Sequence, residues 1–211
     1  MFTGLIQRIG RCENLARRSE GFTISVKHDP WDKPLEKGES VSVQGVCLTV
    51  TRFSDNLFEC DVLEETALKT TISSLKKGET LNLERAVPSD GRFGGHFVTG
   101  HIDGLGKVAR ITMRGDDREI EIVCSDEIME CVALKGSVAC DGVSLTVSGV
   151  RDNSFAVNII PFTWSNTSLQ CLGEDKSVNI ETDILAKYVR KHTESSSKKN
   201  ITMEDLESSF G

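Results

Sequence analysis

The sequence predicts an all-β protein built from two tandem six-stranded barrels, followed by a C-terminal helix. Two observations predict this architecture: an internal duplication of a module of about 95 residues, and period-2 alternation of apolar and polar side chains within each copy. The chain has 211 residues, of which 38% are hydrophobic and 27% charged. This composition is sufficient for two small cores and excludes a mainly disordered chain.

The duplication consists of four matches in the same order along the chain. Residues 45–50 (GVCLTV) match residues 142–147 (GVSLTV), an offset of 97 positions. The other matches, the first at offset 96 and the rest at 97, are 2–6 with 98–102, 62–66 with 159–163 and 81–84 with 178–181. We therefore assign 1–96 to a first barrel, 97–182 to a second barrel, and 183–211 to a C-terminal helix and tail.

Each copy contains six predicted strands separated by turn signals such as Lys37-Gly38 and Lys135-Gly136. In the first copy the strands are 5–12, 22–26, 40–43, 47–53, 57–62 and 80–84. In the second copy they are 102–111, 119–124, 137–139, 144–150, 154–160 and 177–181. Short strands at regular spacing favour a closed barrel, because closure leaves no exposed edge. Helical pieces are predicted at 65–74 and 164–172.

After the second copy the pattern becomes helical. One face of this helix carries Ile184, Leu185, Tyr188, Val189 and His192. That face fits either a contact between copies of the chain or packing on the chain's own barrel. The Ser- and Lys-rich segment 194–200 is expected to be mobile, and a short helix capped by Thr202 is expected after it.

Charge and cysteine content exclude several classes of protein. A net charge of −7 and a pI near 5.2 argue against nucleic acid or an anionic membrane as the main partner. No apolar run approaches the roughly 18 residues of a membrane-spanning helix, and residues 1–8 lack a signal peptide's apolar centre, so we expect a cytoplasmic location. The seven cysteines show no C-x-x-C spacing, which disfavours a disulfide framework or a metal site.

The repeated GV-x-LTV motif offers a polar face in each copy. Cys47 and Thr49 are two positions apart, so they share one side of a strand while Leu48 points to the other. Ser144 and Thr146 repeat this arrangement. The pattern fits a ligand site in each copy, or simply solvent-facing strand residues. A thiol in one copy and a hydroxyl in the other would suit two substrate molecules that play unequal roles.

The junction between the copies, residues 91–104, places His96 and His101 among five glycines. Histidine titrates near neutrality and is the usual proton-transfer group, although either histidine alone could also be structural. Three further charged candidates, each of which could be an ordinary surface charge, are Asp61, Lys135 and Asp141.

Six motifs in order across residues 1–190 resemble the riboflavin synthase family of duplicated lumazine-binding barrels. They are MFTG (1–4), GVCLTV (45–50), NLERA (82–86), GGHFVTGH (94–101), DGVSLTV (141–147) and Ile160-Pro161 with Thr163. The resemblance implies Greek-key barrels that each bind one 6,7-dimethyl-8-ribityllumazine, and a homotrimer assembled by the C-terminal helix. It implies a cofactor-free dismutation in which one lumazine gives a four-carbon unit to the other, yielding riboflavin and 5-amino-6-(D-ribitylamino)uracil.

The resemblance also implies the site residues. Ser40, Cys47 and His101 are the predicted catalytic residues: His101 moves a methyl proton, and Cys47, or a water that it holds, adds to the ring. The predicted substrate-binding residues are Gly4, Leu5, Ile6, Cys47, Leu48, Thr49, Asp61, Val62, Leu63, Glu64, Glu65, Thr66, Gly100, His101, Ile102, Lys135, Ser144, Leu145, Thr146, Asn158, Ile159, Ile160, Pro161, Phe162 and Thr163. Phe162 departs from the residue that many members of the family carry.

The main alternative function is a non-catalytic antenna protein that holds a lumazine or flavin, as the lumazine proteins of luminous bacteria do. Those proteins lose the reactive Cys and His positions, whereas this chain has Cys47, His96 and His101. A flavin-dependent oxidoreductase would need a nicotinamide-binding domain, for which no residues remain. Association with a lumazine synthase shell is a further interaction that the sequence leaves open.

Overall fold

A computed structural model of the chain describes residues 1–197. Two closed six-stranded antiparallel barrels and a C-terminal helix confirm the predicted fold class. The first barrel consists of β1 (Arg8–Arg17), β2 (Phe22–His28), β3 (Ser40–Val43), β4 (Val46–Ser54), β5 (Leu57–Val62) and β6 (Thr80–Arg85). The second consists of β7 (Gly104–Arg114), β8 (Asp117–Val123), β9 (Ser137–Cys140), β10 (Val143–Val150), β11 (Ser154–Ile159) and β12 (Ser177–Thr182).

The two barrels have the same topology. The strand order around the first is β1-β2-β5-β4-β3-β6, and around the second β7-β8-β11-β10-β9-β12, with the last strand pairing the first in each. Strands β3, β4 and β5 form a meander, and β5 pairs with β2, the strand that precedes the meander in the chain. This arrangement of four strands is a Greek key. Bulges also repeat: β1 and β7 shift register after Cys12 and Val108, and β4 and β10 after Val50 and Val147. The duplication is therefore preserved in strand geometry as well as in sequence.

Alternating strand residues fill a separate core in each barrel. Phe58, Ile24 and Leu83 lie in the first core, and Phe155 and Ile120 in the second, all at most 1% exposed. Burying a side chain of this size contributes about 1.5–3 kcal/mol. A third, smaller cluster between the barrels contains Phe2, Val98 and Ala139.

The first predicted strand of each copy starts and ends too early. β1 begins at Arg8 rather than at residue 5, and β7 begins at Gly104 rather than at residue 102. The preceding segments, 2–6 and 98–102, do not join their own barrels: Phe2 and Val98 pair with each other as an isolated antiparallel bridge. The alternation of apolar residues in these two segments therefore reflects contacts with residues outside the barrel sheet in which the sequence predicts them. We call these two stretches the crossing segments.

Short helices follow the fifth strand of each barrel, as predicted. They are α1 (Glu64–Lys69) with a 3₁₀ turn at Thr71–Ser74, and α3 (Pro161–Ser165) with a 3₁₀ turn at Ser168–Cys171. α3 starts earlier than predicted because Pro161 occupies its first turn, where the missing N–H costs nothing. The short α2 (Asp126–Met129) was not predicted.

The C-terminal helix α4 (Ile184–Ser197) confirms the predicted helix and extends into the segment expected to be mobile. Residues 198–200 of that segment and the helix expected at Thr202 lie outside the described residues. Lys187 pairs with Asp103 at 2.6 Å, which ties α4 to the second barrel. On its apolar face, Leu185, Tyr188 and Val189 remain 60%, 67% and 66% exposed. Within residues 1–197, no helix has the length and apolar character needed to cross a membrane.

Candidate functional site

Each crossing segment lies against the GV-x-LTV strand of the opposite barrel. The Cys47 amide on β4 donates to the Gly100 carbonyl at 2.9 Å, and the Ser144 amide on β10 donates to the Gly4 carbonyl at 2.8 Å. Ile102 packs against the first core and Ile6 against the second. The backbones predicted to line the two pockets are therefore exchanged between the copies.

Close approach explains why both crossing segments contain glycine. Gly4 and Gly100 have φ of +76° and +82°, in the left-handed region that L side chains rarely adopt. A Cβ at Gly100 would lie 2.5 Å from the Cys47 Cβ, and one at Gly4 would lie 2.6 Å from the Ser144 Cβ. Only glycine allows each strand and crossing segment to meet at this distance.

The first candidate pocket, formed by the outer face of β3 and β4 with residues 100–102, contains the three predicted catalytic residues. Ser40 pairs with Thr49 across the two strands, so their side chains share the outer face with that of Cys47. The Cys47 side chain is half-buried, and Leu48 points into the core as predicted. His101 is exposed and directly follows the carbonyl that binds Cys47. The backbone contact therefore places His101 next in the chain to the partner of Cys47, beside the strand face that carries the Cys47 thiol and the Ser40 hydroxyl.

The second candidate pocket, formed by the outer face of β9 and β10 with residues 4–6, has a different chemistry. The His96 Nδ1 lies 2.8 Å from the Ser144 hydroxyl, and its Nε2 is buried and has no hydrogen-bond partner among residues 1–197. Burial lowers the pKa of His96, and the Asp183 carboxylate opposes this only in part. A neutral imidazole is therefore held beside the hydroxyl. In the first pocket the equivalent strand position carries the Cys47 thiol.

His96 was noted in the sequence but was not among the predicted site residues. Its signal was the pair of histidines five residues apart in the glycine-rich junction, which does not show which strand each would meet. Gly95 permits the approach, because a Cβ there would lie 2.1 Å from the Thr3 carbonyl and 3.0 Å from the Ser144 hydroxyl.

The segments that follow β5 and β11 carry most of the remaining predicted binding residues. The ladder between β4 and β5 ends at the pair Val50–Cys60, and that between β10 and β11 at Val147–Val157. Because antiparallel strands run in opposite directions, residues 61–66 and 158–163 leave each barrel at the end that carries Thr49 or Thr146. The predicted binding residues of β5 and β11 therefore lie at the same end of each barrel as those of β4 and β10.

The predicted binding residues differ in whether their side chains are available to contact a ligand. Asp61 is paired with Arg18 at 2.6 Å, Glu64 with Arg17 at 3.1 Å, and Glu65 with Lys69 at 2.7 Å. Val62, Leu145 and Ile159 point into the cores, so only their backbone groups could meet a ligand. The half-buried members are Thr66 and Thr163, and the exposed members are Leu63, Asn158, Ile160, Pro161, Phe162 and, from the turn before β9, Lys135.

Comparison with known proteins agrees with this geometry. The lumazine binding domain model matches twice, at residues 3–86 and 99–183. The riboflavin synthase of Bacillus amyloliquefaciens is 37% identical over 207 residues, covering 97% of this chain and 96% of that protein. The riboflavin synthase of Actinobacillus pleuropneumoniae is 39% identical over 210 residues, covering 98% of each.

Solved structures give the same result. LumP complexed with riboflavin superposes with a TM-score of 0.77 at 26% identity, covering 86% of this chain and 99% of LumP. LumP complexed with 6,7-dimethyl-8-(1'-D-ribityl) lumazine gives a TM-score of 0.75 at 25% identity, with the same coverage. With two matched domains and full-length relatives above 30% identity, the chain belongs to the riboflavin synthase family of duplicated lumazine-binding domains.

Proposed function

We propose that the protein converts two molecules of 6,7-dimethyl-8-ribityllumazine into riboflavin and 5-amino-6-(D-ribitylamino)uracil. The observation that carries this proposal is the presence of two candidate pockets with the same backbone and different reactive groups. Cys47 occupies in the first pocket the position of Ser144 in the second. This asymmetry suits a dismutation, because one bound lumazine donates a four-carbon unit and the other accepts it.

The proposed roles are those that the family resemblance implies, and the shared position of Ser40 and Cys47 on one strand face, with His101 next to the carbonyl that binds Cys47, supports them. In the first pocket His101 takes a proton from a ring methyl group, and Cys47, or a water that it holds, adds to the ring, with Ser40 on the same face. The electron-poor pteridine stabilises the resulting carbanion, so the reaction requires no cofactor. Holding two rings in a reactive orientation can provide about 7–11 kcal/mol of the barrier reduction.

Assembly into a homotrimer is part of the proposal. Both pockets are surfaces of a single chain, with His101, Ile160 and Phe162 exposed, so an adjoining subunit could complete them. The exposed face of α4 is suited to the contact between subunits. In the family, the first barrel of one subunit meets the second barrel of its neighbour. Association with lumazine synthase and a cytoplasmic location remain predictions from the resemblance and the sequence.

The direct test is to mix the purified protein with 6,7-dimethyl-8-ribityllumazine, without added cofactor, and to follow riboflavin by absorbance. We expect riboflavin at half the molar amount of lumazine consumed. Tight binding of lumazine without product would instead support the non-catalytic antenna protein. Neither binding nor product would contradict both functions.

Thiol labelling is expected to locate the ligand in the first pocket. Burial raises the pKa of the Cys60 and Cys124 thiols to about 12, and also that of Cys140, so these groups should resist iodoacetamide. The half-buried Cys47 and the exposed Cys171 should react. Peptide mass spectrometry should show that riboflavin protects Cys47 and leaves Cys171 labelled, the latter serving as an internal control. Equal labelling of Cys47 with and without riboflavin would place the ligand elsewhere.

Replacing His101 separates catalysis from binding. We expect His101→Ala to lower kcat by at least about tenfold and to change the dissociation constant for lumazine much less, because the imidazole moves a proton in the transition state. Stopped-flow turnover and equilibrium fluorescence titration would measure the two quantities. Equal losses in kcat and in affinity would make His101 a binding residue only.

A further inference from the structure

Two buried carboxylates hold the crossing segments through the same three hydrogen bonds. Glu84 accepts from the Thr3 amide at 2.7 Å, the Thr3 hydroxyl at 2.8 Å and the Gly4 amide at 2.9 Å. Glu181 accepts from the corresponding groups of Thr99 and Gly100 at 2.7, 2.6 and 2.9 Å. Both glutamates are 1% exposed. The same three contacts occur in both copies. We call each glutamate, together with its three hydrogen bonds, a device.

Each device extends into a candidate pocket. The hydroxyl of Thr3 accepts from the Leu5 amide, and that of Thr99 from the His101 amide, both at 3.3 Å. The carboxylate therefore fixes two successive amides directly and a third through the threonine. In the second copy this third amide belongs to the predicted proton-transfer residue, His101.

The devices connect the two barrels crosswise. Glu84 lies on β6 of the first barrel, but the segment that it holds lies on Ser144 of the second. Glu181 lies on β12 of the second barrel and holds the segment that lies on Cys47 of the first. The pocket of each barrel thus depends on a carboxylate from the other.

This arrangement requires a side chain that accepts hydrogen bonds at both of its terminal atoms, because all three partners are N–H or O–H donors. Among the described residues neither glutamate takes part in an ion pair. Hydrogen bonds are therefore the main compensation for burial, and at Glu84 the positive charge of the N-terminus adds a smaller contribution. Burial raises the pKa of Glu84 even though the Thr3 and Gly4 donors lower it. A glutamine would place its NH₂ group against one of these donors, so that two N–H groups would face each other with no acceptor between them.

We propose that Glu84 and Glu181 are positioning residues, each setting the ligand pocket of the opposite barrel. Glu181 places His101 and the Gly100 carbonyl in the first pocket, and Glu84 places Leu5 and the Gly4 carbonyl in the second. This inference rests on the proposed function, because it assigns the two pockets to ligand binding and catalysis.

Amide hydrogen exchange of the full-length protein tests the crosswise connection directly. In Glu181→Gln we expect the amides of residues 99–101 to exchange about tenfold faster or more, with those of residues 3–5 unchanged; in Glu84→Gln we expect the reverse. The amides of Phe2 and Val98 are left out of the comparison, because each of these residues donates to the other. Riboflavin should lose its protection of Cys47 from iodoacetamide in Glu181→Gln and keep it in Glu84→Gln. Neither measurement requires turnover, so a wild-type protein that forms no riboflavin would refute the proposed function without affecting this test.

Kinetics of threonine variants distinguish positioning from a merely structural role, and serve if a glutamine variant does not fold. Thr99→Val removes one of the three hydrogen bonds to Glu181 and also the acceptor for the His101 amide, so it should lower kcat about tenfold. Thr99→Ser retains the hydroxyl, so its kcat should lie within about twofold of the wild-type value. We expect the midpoint of urea unfolding to be similar in these two variants.

Either of two results would overturn the inference. One is faster exchange of both crossing segments in each glutamine variant, which would make the carboxylates general stabilisers of the fold. The other is a Thr99→Val protein with wild-type kcat and full protection of Cys47, which would show that the first pocket does not depend on this network.

Discussion

Gly100→Ala is expected to destabilise the protein by about 2–5 kcal/mol and to eliminate riboflavin formation. An alanine at φ +82° costs about 1–2 kcal/mol in backbone strain. Its Cβ would also lie 2.5 Å from the Cys47 Cβ and 2.7 Å from the Cys47 amide nitrogen, so the crossing segment must move away from β4. That movement breaks the hydrogen bond between Cys47 and Gly100 and displaces His101, at a further cost of about 1–3 kcal/mol for the overpacked contact.

The matched control is Gly38→Ala. Gly38 has φ of +90°, and a Cβ there would meet no atom of the described residues within 4 Å, so this variant carries the backbone strain without the steric clash. Urea denaturation should place Gly38→Ala within about 2 kcal/mol of wild type, with normal turnover. Comparable free energies of unfolding for the two variants would show that the contact between the crossing segment and β4 is looser than the structure indicates.

Local sequence patterns were sufficient to predict most of the fold. β3 and β5 have the same bounds as the predicted strands 40–43 and 57–62, because alternation and flanking turn residues are properties of neighbouring positions. The duplication supplied the same information a second time. The rule that apolar side chains alternate toward a core was therefore enough to identify twelve strands.

The exchange of segments between barrels could not be predicted in the same way. The hydrogen bonds that define the pockets join Cys47 to Gly100 and Ser144 to Gly4, pairs distant in the chain and without any mutual pattern. The apolar alternation of the crossing segments was real, but it was assigned to the wrong partner. The sequence could therefore predict that these glycine-containing segments mattered, but not which strand each one meets.

Repeated polar residues in a buried strand are a sequence signal for contacts between the two barrels. Asn82 and Glu84 on β6 match Asn179 and Glu181 on β12, and all four are at most 1% exposed. Polar side chains are rarely so buried unless hydrogen bonds satisfy them. A polar pair that recurs at the same positions of two predicted barrel strands thus predicts contacts between the barrels.

Asn82 and Asn179 make those contacts at the turns that precede the two GV-x-LTV strands. The side-chain amide of Asn82 donates to the Asp141 carbonyl at 2.9 Å, and that of Asn179 donates to the Gln44 carbonyl at 2.8 Å. Gln44 and Asp141 occupy equivalent positions before the two glycines, and both have positive φ, 51° and 46°. The symmetry fails in one respect, because the first copy has a neutral amide where the second has a carboxyl group.

Asp141→Asn is therefore expected to remove a pH dependence from the stability of the interface between the barrels. Asp141 is 2% exposed and accepts a hydrogen bond from the Asn179 amide at 2.9 Å. Desolvation by burial raises its pKa from 3.8 to about 7, and the Asn179 hydrogen bond offsets this only in part. Asparagine keeps an acceptor for that amide and tolerates a positive φ, so the substitution changes the charge while the shape stays nearly constant.

The direction follows from proton linkage. Below about pH 4 the carboxyl group is protonated in both the folded and unfolded states, and the wild-type protein has its full stability. As the pH rises toward 7, the unfolded chain ionises while the folded protein must retain the proton, so wild type loses stability, by on the order of 4 kcal/mol at most. Above about pH 7 the loss is complete. The Asp141→Asn variant lacks this loss and should be more stable than wild type at pH 8.

The measurement is the difference in free energy of unfolding between variant and wild type, determined by urea denaturation from pH 4 to pH 8. Comparing the two proteins cancels the titration of all other groups. Asp175→Asn is the matched control: it has the same chemical change and a positive φ of 67°, but it is exposed and paired with Lys107 at the surface. Its difference from wild type should stay within about 1 kcal/mol throughout. If the Asp141→Asn difference were as flat as that of the control, Asp141 would have to be ionised in the folded protein at pH 5, and the interface would have to contain a compensating charge.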